Sequence, residues 1–99
     1  MLAGTAMLGL MLSAPATASA AATGRPTGCH YQVVNSQMTA AACSDANGGH
    51  YRALAVCKDE ETGRVQEFVG DWRNNGSFSK AYCQGSYRNP SPGIETKVT

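Results

Sequence analysis

Four cysteines in a chain of 99 residues constrain the fold more than any other feature of the sequence. The cysteines are Cys29, Cys43, Cys57 and Cys83. No two of them have the Cys-x-x-Cys spacing that is typical of a redox or zinc site. A domain this small buries too little surface to be stable without cross-links. In an exported chain, an even number of cysteines predicts two disulfide bonds rather than free thiols.

The N-terminal segment indicates export. Residues 1–12 are an apolar run, which is followed by Pro15 and by small residues up to an Ala-Ser-Ala sequence at 18–20. This pattern predicts a signal peptide over 1–20, cleaved after residue 20 or 22, and the run is shorter than the roughly 20 residues of a membrane helix. No Lys or Arg precedes Arg25, so we expect the natural start to lie upstream. The protein is therefore predicted to be secreted, with no membrane attachment after cleavage.

Charge and motif content exclude several classes of function. Eight basic and seven acidic residues all follow the predicted signal peptide and are interspersed, which argues against a nucleic-acid or membrane-binding surface. The two histidines, His30 and His50, are isolated, and no phosphate loop or Gly-x-Ser-x-Gly motif occurs. We therefore assign no metal site, no cofactor and no catalytic residue.

Turn signals and alternating side chains predict an all-β domain. We expect a flexible lead-in over 21–28, a disulfide-stapled β domain over 29–88, and a tail or late edge strand over 89–99. Residues 38–43 are expected to be irregular or a short strand. Strong strand patterns cover 29–35, 50–58, 64–73 and 77–84. The predicted fold is a small antiparallel meander, sandwich-like or a partly open barrel.

The Asn75-Gly76 pair predicts a two-residue hairpin turn, because both residues tolerate the positive φ angles of a type I′ turn. In the resulting register Trp72 lies opposite Ser79, Phe68 lies opposite Cys83, and Asp71 lies opposite Lys80. Large rings then face small residues, so Trp72 and Phe68 are predicted core residues. The exposed tip of this hairpin is a candidate binding site, formed by Arg73, Asn74, Asn75 and Gly76.

Two registers are open for the strand at 50–58. A two-residue turn at Thr62-Gly63 places Cys57 opposite Phe68 and directs Ala53, Ala55 and Cys57 inward. A three-residue loop with a bulge at Gly63 directs Leu54 and Val56 inward instead. We favour the first register, because it leaves the cysteines on a face that another segment can cover.

The pairing of the cysteines also has alternatives. Proximity in sequence favours Cys29 with Cys43 and Cys57 with Cys83. However, two strands that flank a third lie nearly 10 Å apart, roughly twice the strand spacing, which is too far for a bond between Cys57 and Cys83 in a flat meander. Either the sheet curls or ends there, or these two cysteines bond to Cys29 and Cys43.

The chain resembles two groups of proteins. The residues Gly49-His50-Tyr51-Arg52-Ala53, Cys57, Gly70-x-Trp72, Gly76-x-x-Ser79 and Cys83 are similar to those of small exported proteins of actinobacteria, a resemblance that implies no particular activity. A short exported β protein with four cysteines also resembles the tendamistat-type α-amylase inhibitors. Their signature is Trp-Arg-Tyr between the first two cysteines, whereas here Trp72-Arg73-Asn74 lies between the third and fourth. No inhibitory residue is therefore transferred.

These observations predict a secreted, non-catalytic binding protein whose partner is an extracellular protein. The alternatives are a small ribonuclease-like hydrolase, an α-amylase inhibitor-like protein and an envelope component. The residue types of a small ribonuclease are present, but without its spacing, in His50, Arg52, Glu67 and Arg73. The sequence does not indicate an oligomeric state.

Overall fold

The computed structural model describes residues 24–99, so the predicted signal peptide lies outside the described part of the chain. These residues form an all-β domain without a helix, which confirms the predicted fold class. The strands are β1 (Thr27–Asn35), β2 (Met38–Asp45), β3 (His50–Asp59), β4 (Val65–Val69), β5 (Ser79–Tyr82) and β6 (Tyr87–Lys97).

The strands form two antiparallel three-stranded sheets. We call the sheet with the order β1-β2-β5 the first sheet, and the one with the order β4-β3-β6 the second sheet. The chain passes between the sheets after β2, β4 and β5, so the fold is a two-layer sandwich and not a single meander. The last strand, β6, pairs along most of β3 and forms an edge of the second sheet.

Small side chains fill the space between the sheets. The inward-facing residues of β3 are all completely buried, namely Tyr51, Ala53, Ala55 and Cys57. Val56 is 38% exposed, so the favoured orientation of this strand is confirmed and the alternative is wrong. Phe68 packs against the margin of the core cluster, as its predicted face requires. The central residues of that cluster are Ala41, Ala53, Ala55, Cys57, Ala81 and Cys83.

Both disulfides follow the sequential pairing that was favoured from the sequence. Cys29 and Cys43 lie directly opposite each other on β1 and β2, with their Cα atoms 3.9 Å apart. Cys57 and Cys83 have Cα atoms 5.9 Å apart and connect the two sheets. The expected separation of about 10 Å between Cys57 and Cys83 assumed that both strands belong to one sheet. It does not apply, because β5 lies in the opposite sheet.

The predicted hairpin at Asn75-Gly76 is wrong. β4 pairs with β3 in the second sheet, whereas β5 pairs with β2 in the first, so the two strands share no ladder. Residues 70–78 instead form a crossover loop between the sheets. The loop begins at Gly70, which packs so closely on β5 that a Cβ atom there would overlap the carbonyl oxygen of Lys80.

The hairpin between β3 and β4 differs by two residues from the favoured register. Ala55 lies opposite Phe68, and Cys57 lies opposite Gln66. The backbone N–H of Asp59 bonds to the carbonyl of Arg64 at 2.7 Å. The turn therefore spans residues 60–63 and is longer than the expected two residues. A shift of two residues leaves every side chain on its original face, so the inward set is unchanged.

Candidate binding loop

The crossover loop, residues 70–78, contains all four residues of the predicted tip. Its first half is attached to β3 by a backbone bridge between Arg73 and Tyr51. The two N–H to carbonyl hydrogen bonds of this bridge are 2.8 and 2.9 Å long. The main chain at Arg73 is therefore part of the sandwich, although its side chain is exposed.

The second half of the loop is held by a buried side chain. The hydroxyl of Tyr51 donates a hydrogen bond of 2.6 Å to the backbone oxygen of Ser77. Asn75 closes the turn locally, because its side-chain oxygen accepts bonds from the N–H and the hydroxyl of Ser77 at 3.1 and 2.6 Å. Gly76 adopts the positive φ of 85° that this turn requires. The loop is thus fixed at its base and at its tip.

Solvent surrounds the tip itself. Arg73, Asn74, Asn75 and Gly76 are all exposed. The guanidinium of Arg73 is 4.0 Å from the carboxylate of Asp71, an exposed pair that contributes little to stability. These side chains are therefore free to contact another molecule.

Trp72 is not a core residue, and this prediction is corrected. Its register depended on the hairpin that does not form. The indole is partly buried on the outer face of the second sheet, where the Cζ of Arg52 and the Nζ of Lys97 each lie 4.4 Å from its centroid. Arg52 also forms a 2.8 Å ion pair with Glu95, directly opposite it on β6. Trp72 therefore covers the charged end of the second sheet, beside the exposed tip.

A second aromatic ring, that of Phe78, lies at the end of the loop next to the first sheet. Phe78 precedes β5 and is 43% exposed. Its ring packs edge-to-face against His30 of β1, with a centroid separation of 5.7 Å. The loop thus presents cationic and amide groups between two partly exposed rings, a combination suited to recognition.

The residue types considered for a hydrolase do not meet. Arg52 is paired with Glu95, whereas Glu67 lies opposite Val56, four residues farther along β3 and about 13 Å away. The Nδ1 of His50 contacts the backbone oxygen of Thr99 at 2.6 Å. The geometry therefore assembles no acid–base set from these residues.

A depression of about 680 Å³ lies at the opposite end of the sandwich, around the β3–β4 turn. There the carboxylate of Asp59 accepts hydrogen bonds from the hydroxyls of Ser86 and Thr62 and from the N–H of Glu61. These bonds, led by that from Ser86, lower the pKa of Asp59 below its ordinary value of 3.8. The carboxylate is thus occupied in closing the turn. Over residues 24–99 there is no group of three side chains able to hold a metal ion.

Tyr51 was not identified from the sequence as a residue of the loop. The signal was present, because the alternation that directs Ala53 and Ala55 inward also directs Tyr51 inward. A buried tyrosine hydroxyl needs a hydrogen-bond partner, and the partner here is the loop carbonyl of Ser77. What the sequence did not contain was the identity of that partner.

Comparison with known proteins does not place the chain in a family. No family model, curated protein or solved structure matches it. The resemblances to actinobacterial exported proteins and to tendamistat-type inhibitors remain predictions. Within the described range, no helix has the length and apolar character needed to cross a membrane.

Proposed function

We propose that this protein is a secreted, non-catalytic binding protein that recognises an extracellular protein through the crossover loop. The observation that supports this proposal is the contrast between the exposure of residues 73–76 and the anchoring of their backbone. Tyr51 holds the loop at Arg73 and at Ser77. A loop that is already ordered loses little conformational entropy when it binds, so its contacts contribute more fully to affinity.

The side chains of the loop fit this role. Tryptophan and arginine are the residues most enriched among those that dominate binding energy at protein interfaces. Here Trp72 and Arg73 are adjacent, and Phe78 provides a second partly exposed ring. The cations of Lys97, which lies over the ring of Trp72, and of Arg73 favour a partner that presents carboxylates beside an apolar surface.

Export is part of the proposal. Two disulfides in a small domain are typical of oxidising compartments outside the cytoplasm. The predicted signal peptide supports the same location. A partner would then be a protein of the culture fluid or of the cell wall.

The test compares a loop variant with a matched control. The oxidised protein is immobilised, and proteins captured from culture fluid and cell-wall fractions are identified and measured by titration. We expect Arg73→Ala with Asn74→Ala to weaken binding at least about tenfold, since interface arginines often contribute more than 1 kcal/mol. The unfolding midpoint should stay nearly unchanged, because both side chains are exposed.

The control is Lys58→Ala with Glu61→Ala at the opposite end of the sandwich, which also removes two exposed polar side chains. This variant should bind normally. If it loses the partner while the loop variant retains it, the binding site lies at the turn and the proposal is wrong. Hydrolysis of RNA by the protein, without stoichiometric capture, would favour the hydrolase alternative.

A further inference from the structure

Two asparagines of the described range are each followed by glycine, in the pairs Asn47-Gly48 and Asn75-Gly76. Asparagine is a chemically labile residue, because its side-chain amide can be lost. Glycine has no side chain, so it leaves the backbone nitrogen after the asparagine unshielded, within reach of the side-chain carbonyl carbon. Both pairs are therefore candidate sites of spontaneous deamidation, but their surroundings in the fold differ.

The side-chain amide of Asn75 is held by its oxygen. Its Oδ1 accepts hydrogen bonds from the N–H and the hydroxyl of Ser77, at 3.1 and 2.6 Å. The side chain is therefore folded towards the peptide that follows it, in an Asx turn. The two donors also stabilise the negative charge that Oδ1 acquires when a nucleophile attacks Cγ. Within residues 24–99, Nδ2 donates no hydrogen bond, so the leaving group is free to depart.

The attacking group is the backbone nitrogen of Gly76. Gly76 is exposed, and a Cβ atom there would meet no atom within 4 Å. Its N–H has no hydrogen-bond acceptor among the described residues. The nitrogen is thus accessible to the hydroxide ions and bases that remove its proton. The loop is anchored at Arg73 and Ser77, so a change at the tip leaves the strands intact.

Asn47 is held in the opposite way. Its Nδ2 donates hydrogen bonds of 3.0 and 3.1 Å to the backbone oxygen of Arg25 and to the hydroxyl of Thr27. Its backbone carbonyl accepts a bond of 2.5 Å from the N–H of Gly24. Attack on this side chain has to break the first two bonds, and rotation of the Asn47 backbone into a ring disturbs the third. The fold therefore protects Asn47, although glycine follows it as well.

A third asparagine separates the effect of the Asx turn from that of the glycine. The Oδ1 of Asn35 accepts a hydrogen bond of 2.8 Å from the N–H of Gln37, so Asn35 also lies in an Asx turn. The next residue is Ser36, whose side chain hinders approach to its backbone nitrogen. Among the described asparagines, only Asn75 combines an Asx turn with a following glycine.

We propose that Asn75 is a site of spontaneous deamidation, through which the crossover loop modifies itself with age. The nitrogen of Gly76 loses its proton and attacks Cγ of Asn75, which forms a succinimide ring. The bond between Cγ and Nδ2 then breaks, and Nδ2 takes up a proton and leaves as ammonia. Water opens the ring at either carbonyl and gives an aspartyl or an isoaspartyl residue. The net reaction consumes water, releases ammonia and needs no oxidant.

Both products place a carboxylate in the exposed tip that contains Arg73. The new charge offsets that of the guanidinium, and the isoaspartyl form also lengthens the main chain by a methylene group. The modification is detected by mass alone, so it stands or falls separately from the proposed function. If that function holds, the modified loop binds a partner that presents carboxylates less tightly.

The experiment incubates the oxidised protein at neutral pH and follows each asparagine by peptide mapping with mass spectrometry. Deamidation replaces an amino group by a hydroxyl group, and chromatography separates the isoaspartyl product from the aspartyl one. We expect Asn75 to react at least about tenfold faster than Asn47, whose two hydrogen bonds must break first, and also faster than Asn35. The rate at Asn75 should rise with pH, because the attacking nitrogen must lose its proton.

The unfolded chain is the first control. In the reduced protein in concentrated urea, Asn75 and Asn47 are still followed by glycine but have lost their native hydrogen bonds. Their rates should then become similar. A difference that persists in the unfolded chain would show that the fold does not cause it and would overturn the proposal. Equal rates in the folded protein would overturn it as well.

Two matched substitutions test the hydrogen bonds themselves. Ser77→Ala removes one of the two donors to Oδ1 of Asn75 and should slow that site at least about threefold, while Asn47 is unaffected. Thr27→Val removes one acceptor from Nδ2 of Asn47 and should accelerate that site alone. Both positions are exposed, so circular dichroism should show an unchanged fold. An unchanged rate at Asn75 in the Ser77→Ala protein would contradict the role of the Asx turn.

Discussion

The side-chain oxygen of Ser79, in the first sheet, accepts a hydrogen bond of 2.9 Å from the backbone N–H of Ala53, in the second. The same hydroxyl donates to the backbone oxygen of Asp71 at 2.7 Å. Gly70 bonds to Ala53 of β3, whereas Arg73 pairs with Tyr51. Three residues on one chain therefore span two on β3, and the ladder of backbone hydrogen bonds is interrupted at this point. The fully buried hydroxyl of Ser79 therefore supplies the partner that the interrupted ladder lacks.

Ser79→Ala should destabilise the domain by about 2–3 kcal/mol, because it leaves the buried N–H of Ala53 and the part-buried carbonyl of Asp71 without their partner. Chemical denaturation of the oxidised protein measures the change. Ser91→Ala on the exposed side of β6 is the control and should change stability by less than about 0.5 kcal/mol. Equal effects of the two substitutions would contradict a bridging role for Ser79.

Loss of the disulfide between the sheets should cost more than loss of the other one. The cross-linked cysteines are 26 residues apart for Cys57–Cys83 and 14 for Cys29–Cys43, and the loop-entropy model gives about 3.5 and 3 kcal/mol. Cys57 is also completely buried, so its replacement disturbs the core as well. Unfolding of the two paired Cys→Ala variants provides the comparison, and a more stable variant at Cys57 and Cys83 would refute this order.

Trp72→Ala should destabilise the domain by about 1–2 kcal/mol, since cation–π contacts at exposed sites contribute about 0.5–1 kcal/mol each. Trp72→Phe keeps an aromatic face and should lose less. A double-mutant cycle with Lys97→Ala isolates one of the two contacts. A loss above about 4 kcal/mol for Trp72→Ala would instead indicate a core residue.

Asp59 should make the free energy of unfolding depend on pH in the acidic range. Its carboxylate has a pKa below 3.8 in the folded protein, so the ionised form is the one that folding favours. The resulting stability is present above about pH 4, the unfolded-state value, and is lost as the pH falls through the folded-state pKa. Asp59→Asn should therefore destabilise the protein at pH 7.

The measurement is thermal unfolding of this variant and of the natural protein at pH 7 and at pH 2. The difference between them should shrink at the lower pH, because protonation of the Asp59 carboxylate removes the charge that its hydrogen bonds stabilise. Glu61→Gln, an exposed change in the same turn, is the control. A difference that grows on acidification would contradict the argument.

Much of the second sheet was predictable from the sequence, because inward and outward positions follow from local alternation. The pattern of β3 correctly directed Ala53, Ala55 and Cys57 into the core. Its pairing with β6 was not predictable, because the choice of a partner strand depends on contacts between residues far apart in the chain. The same limitation applies to the two buried hydroxyl contacts, Ser79 with Ala53 and Tyr51 with Ser77.

The candidate loop shows where a strong local signal fails. The chain does bend at Asn75 and Gly76, but only Gly76 has a positive φ, so the predicted type I′ turn is wrong and only the change of chain direction was predictable. The signal for a hairpin assumes that the strands on either side pair with each other. Here the lack of a side chain at Gly70 allows the chain to pass close to β5 directly after β4. β5 then pairs in the first sheet and not with β4. The exposure of residues 73–76 was therefore predicted correctly, whereas the hairpin that carried them and the environment of Trp72 were not.

The alanines between the sheets also affect how stability varies with temperature. The heat-capacity change on unfolding scales with the apolar area that becomes hydrated, and alanine contributes little area for each position it fills. Hydroxyl contacts and disulfides hold the layers together without adding to this area. We therefore expect calorimetry to give a heat-capacity increment below the usual 12–15 cal/mol/K per residue. The free energy of unfolding would then follow a broad, shallow curve that changes little between cold and warm surroundings.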